Sequence, residues 1–310
     1  MKKILVVGSL NMDIVSNMKR IPNLGETVLG ETLWNNPGGK GANQCYAVGK
    51  LGGNAAMLGC VGFDSYGDKL IQSLISVGID ADHIKKCENA PTGTALIHID
   101  QHANNSIVVI KGANEKCDIP YLKDNDYLIQ DCDIILIQME IPYDAVYYVI
   151  QRGWELGKKI ILNPAPAPEG YPKDILSKVD IITPNETELE ILTSQKISSQ
   201  EDIIKGAKKL IKQGTRQVIV TIGSKGAMYV DEEGHKYYPT RKVVPVDTTG
   251  AGDCFNGALA VGLSEALSID EAIKFANIAA SISVTKKGAQ SSVPSRKDVD
   301  EIKNSLNERR

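Results

Sequence analysis

Apolar residues along this chain fall into two alternating patterns. Short, β-branched runs at Ile4–Val7, Ala55–Val61, Ile134–Gln138, Ile160–Asn163, Ile181–Thr183, Val218–Ile222 and Met228–Val230 read as buried strands. Between them, apolar positions recur every three or four residues near 41–52, 67–77, 143–156, 187–193, 200–213, 253–266, 270–285 and 295–308. That spacing lines one face of a helix. Strands that are apolar throughout, alternating with amphipathic helices, predict an α/β fold with a doubly wound, mostly parallel sheet flanked by helices. No internal repeat interrupts the pattern, which suits one α/β domain over residues 1–310.

Two regions break the rhythm. Val28–Trp34, and the pair Thr94–Ile99 with Ser106–Ile110, alternate apolar and polar residues as half-exposed strands do. The turn-rich stretch Asp100–Asn105 makes the latter pair a hairpin. These segments, approximately 10–36 and 91–113, predict a small separate β-sheet lid over a site; an edge extension of the main sheet is the alternative.

Composition narrows the function classes. A hydrophobic content of 42% and a charged content of 24% are ordinary for a globular chain with a real core. The net charge of −3, without a basic block or aromatic interleaving, argues against nucleic acid as a partner. No apolar stretch approaches a membrane span. The opening MKKILVVGSL reads as a first strand, because its short apolar run leads into Asn11 and Asp13. Cys45, Cys60, Cys87, Cys117, Cys132 and Cys254 form no C-x-x-C pair and read as reduced core thiols of a cytoplasmic protein. The four histidines show no metal spacing.

Three polar clusters interrupt the apolar pattern. In DTTGAGDCFNGALA (247–260), Gly250, Ala251 and Gly252 precede Asp253 at the first turn of a predicted buried helix. A helix N-terminus offers unpaired N–H groups and the positive end of the dipole, and small residues admit a phosphate. Asp253 there could take a proton from an attacking hydroxyl; a cap and a turn would look the same. NPGGKGANQ (36–44) is neither a Walker A loop, which needs Gly where Trp34 stands, nor a dinucleotide fingerprint, which needs Gly at Gln44. It offers close backbone approach with donors from Lys40 and Asn43, or else a plain loop. SLNMD (9–13) follows the first strand and puts Asn11 and Asp13 on one face of an extended segment. Strand carboxyl ends form the ligand crevice of open α/β sheets, although an Asx-turn fits as well.

Together and in this order, SLNMD, GGKGANQ and DTTGAGDCFNGAL resemble the ribokinase family of sugar and nucleoside kinases. The resemblance runs from Ile4 to Pro294, through TPNETE (183–188), VTIGSKGA (220–227) and FANIAASISVTKKGAQSSVP (275–294). Cys45 stands where the family's motif generally has a smaller residue, which puts only local packing in question. The resemblance implies ATP-dependent phosphorylation of D-ribose at O5. Asp253 would be the general base and Gly250, Ala251 and Gly252 the anion hole. Asn11, Asp13, Gly39, Lys40, Asn43 and Glu140 would hold the sugar, Glu140 also falling just past a predicted strand end, where a salt bridge is the alternative.

The resemblance further assigns nucleotide contacts to Asn185, Glu188, Thr221, Gly223, Ser224, Gly226, Gly252 and Asn277. Asn185 and Glu188 would place Mg²⁺, although Asn-x-x-Glu is also an ordinary helix start. An activating K⁺ would lie among Asp247, Thr249, Ser283, Lys286, Gly288 and Ser292, partly on backbone carbonyls, since the Lys286 side chain cannot serve a cation. Lids of this family pair into homodimers. The rival readings are another acceptor, such as 2-deoxyribose, a ketohexose or a nucleoside, and a catalytically silent sugar-binding protein.

Overall fold

The computed structural model describes residues 1–307 apart from Ala103 and Lys173. Position 308, the predicted end of the last helix, and position 103, inside the predicted turn, lie outside the described residues. The first strands in chain order are β1 (Ile4–Val7), β2 (Asn11–Met18), β3 (Gly30–Gly38), β4 (Ala55–Leu58), β5 (Cys60–Gly62), β6 (Lys85–Cys87), β7 (Gly93–Ile99) and β8 (Asn105–Ile110). They are followed by β9 (Ile134–Ile137), β10 (Lys159–Leu162), β11 (Ile181–Ile182), β12 (Gln217–Thr221), β13 (Gly226–Val230) and β14 (His235–Pro239). The helices are α1 (Lys40–Lys50), α2 (Ser65–Ile75), α3 (Ile119–Asp124), α4 (Asp126–Asp131), α5 (Tyr143–Glu155), α6 (Glu186–Thr193), α7 (Gln200–Lys212), α8 (Ala251–Ser264), α9 (Ile269–Ser283) and α10 (Arg296–Asn307).

Eight strands form the main sheet in the order β14-β13-β12-β11-β10-β9-β1-β4. The six from β4 to β12 are parallel, and β13 and β14 add an antiparallel edge. Successive strand residues feed opposite cores. Ile4 and Val6 pack with α1, α2, α8, α9 and α10, whereas Leu5 and Val7 pack with α3 to α7. Burial on both faces explains why these strands are apolar throughout rather than alternating. All six cysteines are buried and unpaired. Among the described residues, no helix is long and apolar enough to cross a membrane.

The stretch Ala55–Val61 is not one strand. It breaks at Gly59: β4 stays in the main sheet, and β5 leaves it to pair with β6. The Tyr121 hydroxyl accepts the Gly59 N–H at 3.0 Å and so replaces a ladder partner at the break. The edge strand β14 carries little apolar signal, with only Tyr238 buried, and the short helices α3 and α4 are likewise absent from the periodicity.

The segments that break the βα rhythm form their own sheet, in the order β3-β2-β7-β8. Strand β2 lies antiparallel to β3 and parallel to β7. An edge extension of the main sheet is thereby ruled out. Strand β3 runs on to Gly38 rather than ending near Trp34, because Asp13, Met12 and Asn11 pair with Asn36, Pro37 and Gly38. The outer strand β8 leaves Ile107, Val108, Val109 and Ile110 about half exposed, and Leu33 on β3 is 69% exposed.

Candidate active site

The main sheet ends in a row of polar residues. Val7, Ile137, Leu162 and Ile182 are in register on adjacent strands. One step beyond the last three stand Gln138, Asn163 and Thr183, all buried. Parallel strands deliver these side chains to one edge, and α1 and α8 begin above it.

Asp253 sits in the first turn of α8 and is only 8% exposed. Its Oδ2 accepts the Asn43 Nδ2–H and its Oδ1 the Gln44 Nε2–H, both at 3.0 Å. Burial pushes its carboxyl above the ordinary carboxylate range, against the opposing pull of Lys40 and the two amides. Asn43 accepts in turn from Gln290 Nε2 at 3.3 Å. The residue expected to hold sugar therefore also holds the Asp253 carboxylate.

The NPGGKGANQ segment supplies the end of β3 and the start of α1. Its pivot, Gly39, has φ +86°, and a Cβ there would lie 2.6 Å from Asn11 N. Only glycine lets α1 start this close to β2. The Lys40 N–H donates to Glu140 Oε2 at 3.0 Å, and Ser9 Oγ donates to the same oxygen at 2.5 Å. Burial pulls the Lys40 ammonium down, but Asp253, Glu140 and Glu188 together hold it above its ordinary value. Asp13, half-buried, is pushed up to about 7 by burial and then by the charges of Glu140 and Asp253. Asn11 is buried, and its Oδ1 accepts from Asn114 Nδ2 at 2.7 Å. One ammonium thus faces three carboxylates, contributed by the segment after β9, α6 and α8.

At the start of α8, Gly250 adopts φ +73° as the N-cap. The Ala251 N–H is taken by Thr248 O at 3.2 Å, and among the described residues the Gly250 and Gly252 N–H groups have no partner. The position a Cβ on Gly252 would fill is open space. Of the three amides expected to form an anion hole, those of Gly250 and Gly252 have no internal partner among the described residues.

Asn185 caps α6 with a closed capping box: its Oδ1 accepts the Glu188 N–H at 2.8 Å, and Glu188 Oε2 accepts the Asn185 N–H at 2.9 Å. The helix-start reading of Asn-x-x-Glu is realised here. Burial still raises the Glu188 carboxyl, against the Asn185 N–H and Lys40. Asn185 bridges Thr221, and the turn carrying Gly223, Ser224 and Gly226 follows β12, with Ser224 exposed. Asn277 is buried, and its Nδ2 donates to Tyr238 O at 3.1 Å.

The segment expected to hold a monovalent cation is tied together by Asp247. Its Oδ1 accepts the Thr249 N–H at 2.9 Å and its Oδ2 the Gly288 N–H at 2.8 Å. Burial opposes the Asp247 charge, but these donors outweigh it and hold the carboxyl below its usual range. The Ser283 and Ser292 hydroxyls donate to Ala280 O and Ala289 O within their own turns. The Lys286 N–H donates to Ser283 O. Among the described residues, no three His, Cys, Asp or Glu side chains converge enough to hold a metal ion directly.

Sequence reasoning missed the neutral amides that support these groups. Gln44, Gln138, Asn163, Thr183 and Asn256 form a connected network under Asp253, and Asn114 anchors Asn11. Gln138, Asn163 and Thr183 each end a predicted strand, the one signal that pointed to them.

The pfkB family carbohydrate kinase model matches residues 1–296. The ribokinase of Haemophilus influenzae is 39% identical, over 97% of this chain and 98% of its own. The deoxyribokinase of Salmonella typhi is 36% identical, over 98% and 99%. A solved structure of Arabidopsis thaliana ribokinase complexed with ribose and ATP superposes with a TM-score of 0.90 at 34% identity, covering 97% of this chain and 98% of that one.

Proposed function

The chain belongs to the pfkB family of carbohydrate kinases and is a phosphotransferase of the ribokinase type acting on a sugar, and on that premise we propose that it transfers the γ-phosphoryl group of ATP to O5 of D-ribose. The observation that carries the reading is the buried Asp253 carboxylate at a helix N-terminus, beside amides that have no internal partner among the described residues. Asp253 accepts the proton of the 5-hydroxyl as its oxygen attacks. The Gly250 and Gly252 N–H groups stabilise charge on the transferring group. Asn11, Asp13, Lys40, Glu140 and the Gly39 backbone orient the sugar, while Asn43 divides its amide between sugar and base. Asn185, Thr221, the turn at Gly223–Gly226 and Asn277 receive the nucleotide.

A carboxylate that burial leaves short of positive charge suits a nearby cation, so Glu188 with Asn185 fits Mg²⁺ through water. Such an ion, when bound, neutralises charge on the phosphates. The turns joined by Asp247 fit K⁺ through backbone carbonyls. The small sheet acts as a lid that excludes water, the competing acceptor, and its half-exposed β8 suits a homodimer.

The relative named as a deoxyribokinase makes 2-deoxyribose the acceptor to beat. A coupled assay of ADP release over pentoses, hexoses and nucleosides decides. A site built to pair a hydroxyl leaves its own groups unmatched when that hydroxyl is missing. D-ribose should therefore exceed 2-deoxy-D-ribose in kcat/KM by at least about tenfold. Equal or better use of the deoxy sugar would overturn the ribose assignment.

A further inference from the structure

We propose that Gln44 is a positioning residue for Asp253, the last member of a one-way chain of neutral amides that aims the carboxylate and stabilises its charged form. The inference rests on the reading of Asp253 as the base.

The direction of the chain is set by its own partners. Gln138 Nε2 donates to Gln44 Oε1 at 2.7 Å, so the Gln44 Nε2 must face the other way. There it meets two acceptors at 3.0 Å, Asp253 Oδ1 and Asn163 Oδ1, one for each of its hydrogens. Asn163 is fixed because its Nδ2 donates to Thr183 O at 3.0 Å. A flipped Gln44 would turn its oxygen toward both acceptors and its NH₂ toward another NH₂. The Thr183 hydroxyl donates to Asn256 Oδ1 at 2.6 Å, and Asn256 Nδ2 donates to Gly252 O at 2.9 Å. The network thereby returns to the turn of α8 that carries both Gly252 and Asp253.

Every side chain of this network is buried, and Asp253 is its only ionisable member. Two consequences follow from elementary electrostatics. Burial favours the protonated acid, and an N–H donor favours the carboxylate, so the amides offset part of the burial effect. A lysine or arginine at position 44 would overshoot, leaving a carboxylate too weak to accept a proton. An amide, in addition, can neither give nor take a proton at these pH values. The proton that Asp253 accepts has no route backward and leaves by the open side facing the substrate.

The test uses Gln44→Met, which keeps length and flexibility but removes the donor, and Gln138→Met, which leaves Gln44 in place but frees it to rotate. The readout is the pH profile of kcat/KM for ATP-dependent phosphorylation of D-ribose. In Gln44→Met the acid limb should move up by about one pH unit. The kcat at pH 7 should fall at least about tenfold, with a much smaller change in KM for D-ribose. Gln138→Met should shift the limb less, in the same direction. A folded Gln44→Met whose acid limb coincides with that of the wild type overturns the proposal. Should that variant not fold, an unmoved limb in Gln138→Met does so. Asp253→Asn, run in parallel, separates the two readings. If it turns over normally, the base assignment falls and the proposal with it; if it is inactive while the Gln44 profile is unmoved, only the positioning role is lost.

Discussion

Replacing Asp13 by Asn should make the protein more stable and a worse sugar binder, by amounts that depend on pH. Burial first, then Glu140 and Asp253, raise the Asp13 carboxyl to about 7 from 3.8. An acid whose folded-state pKa is raised destabilises the fold when ionised. The cost is absent below the unfolded pKa, grows from there to about pH 7, and is complete above it. The shift is about three units, and at ~1.4 kcal/mol per unit it caps the cost at ~4 kcal/mol, reduced by the solvent that reaches this half-buried group. The neutral Asn avoids that cost. Its melting temperature should match the wild type near pH 4 and exceed it by several degrees at pH 8.

Sugar binding should move the opposite way. Hydroxyl donors pair best with the ionised carboxylate, whose population falls from ~90% at pH 8 to ~10% at pH 6 for a pKa of about 7. Isothermal titration of D-ribose into the wild type should show affinity dropping about tenfold over that range, with close to one proton released per site at pH 6. The Asn variant should bind about tenfold more weakly at pH 8 and show no such dependence. A wild-type affinity that is flat from pH 6 to 8, or an Asn variant that melts below the wild type at pH 8, would refute the argument.

Other expectations concern the base, the monovalent ion and the small sheet. Asp253→Asn keeps the size of the side chain but cannot accept a proton, so kcat should fall ~10²–10⁴-fold with sugar affinity much less changed; near-normal turnover of the purified variant would sink the assignment. Exchange of K⁺ for Na⁺ should lower activity several-fold without unfolding, because the Asp247 turns adjoin the start of α8; an unchanged rate after rigorous K⁺ removal counts against it. Lys in place of Ile107 or Val109, both about half exposed on β8, should shift a dimer toward monomer in sedimentation. A wild-type monomer with full activity at micromolar concentration contradicts the lid pairing.

Much of this architecture is legible in the sequence because burial on both faces leaves a plain signature. Ile4–Val7, Ile134–Ile137 and Lys159–Leu162 fall where apolar runs predict them, and the α8 turn with Asp253 follows from small residues before an apolar helix. Long-range partners decide the rest. The break at Gly59 depends on a hydroxyl from Tyr121, 62 positions away. Gln44 meets Asp253 across 209 positions, and a neutral amide announces itself neither by charge nor by periodicity. Asn43 and Asn185 were visible as polar residues in motifs. That one also holds the Asp253 carboxylate and the other caps α6 emerges only from the folded chain.

Only Gly8, Ser9 and Leu10 separate β1 from β2, so the two sheets share an axle at this point. Asn114 grips that axle, taking the Leu10 N–H on its Oδ1 at 2.9 Å and donating to Leu10 O at 3.2 Å. A rigid tilt of the small sheet about it displaces each residue in proportion to its distance. At ~3.3 Å per residue, a ten-degree swing carries the far end of β2 ~4 Å but Asn11 by well under ~1 Å. The β2 groups proposed to read the sugar ride near the hub, where Asn11 barely shifts and Asp13, three residues out, moves ~2 Å, while the outer strands travel like the rim of a wheel.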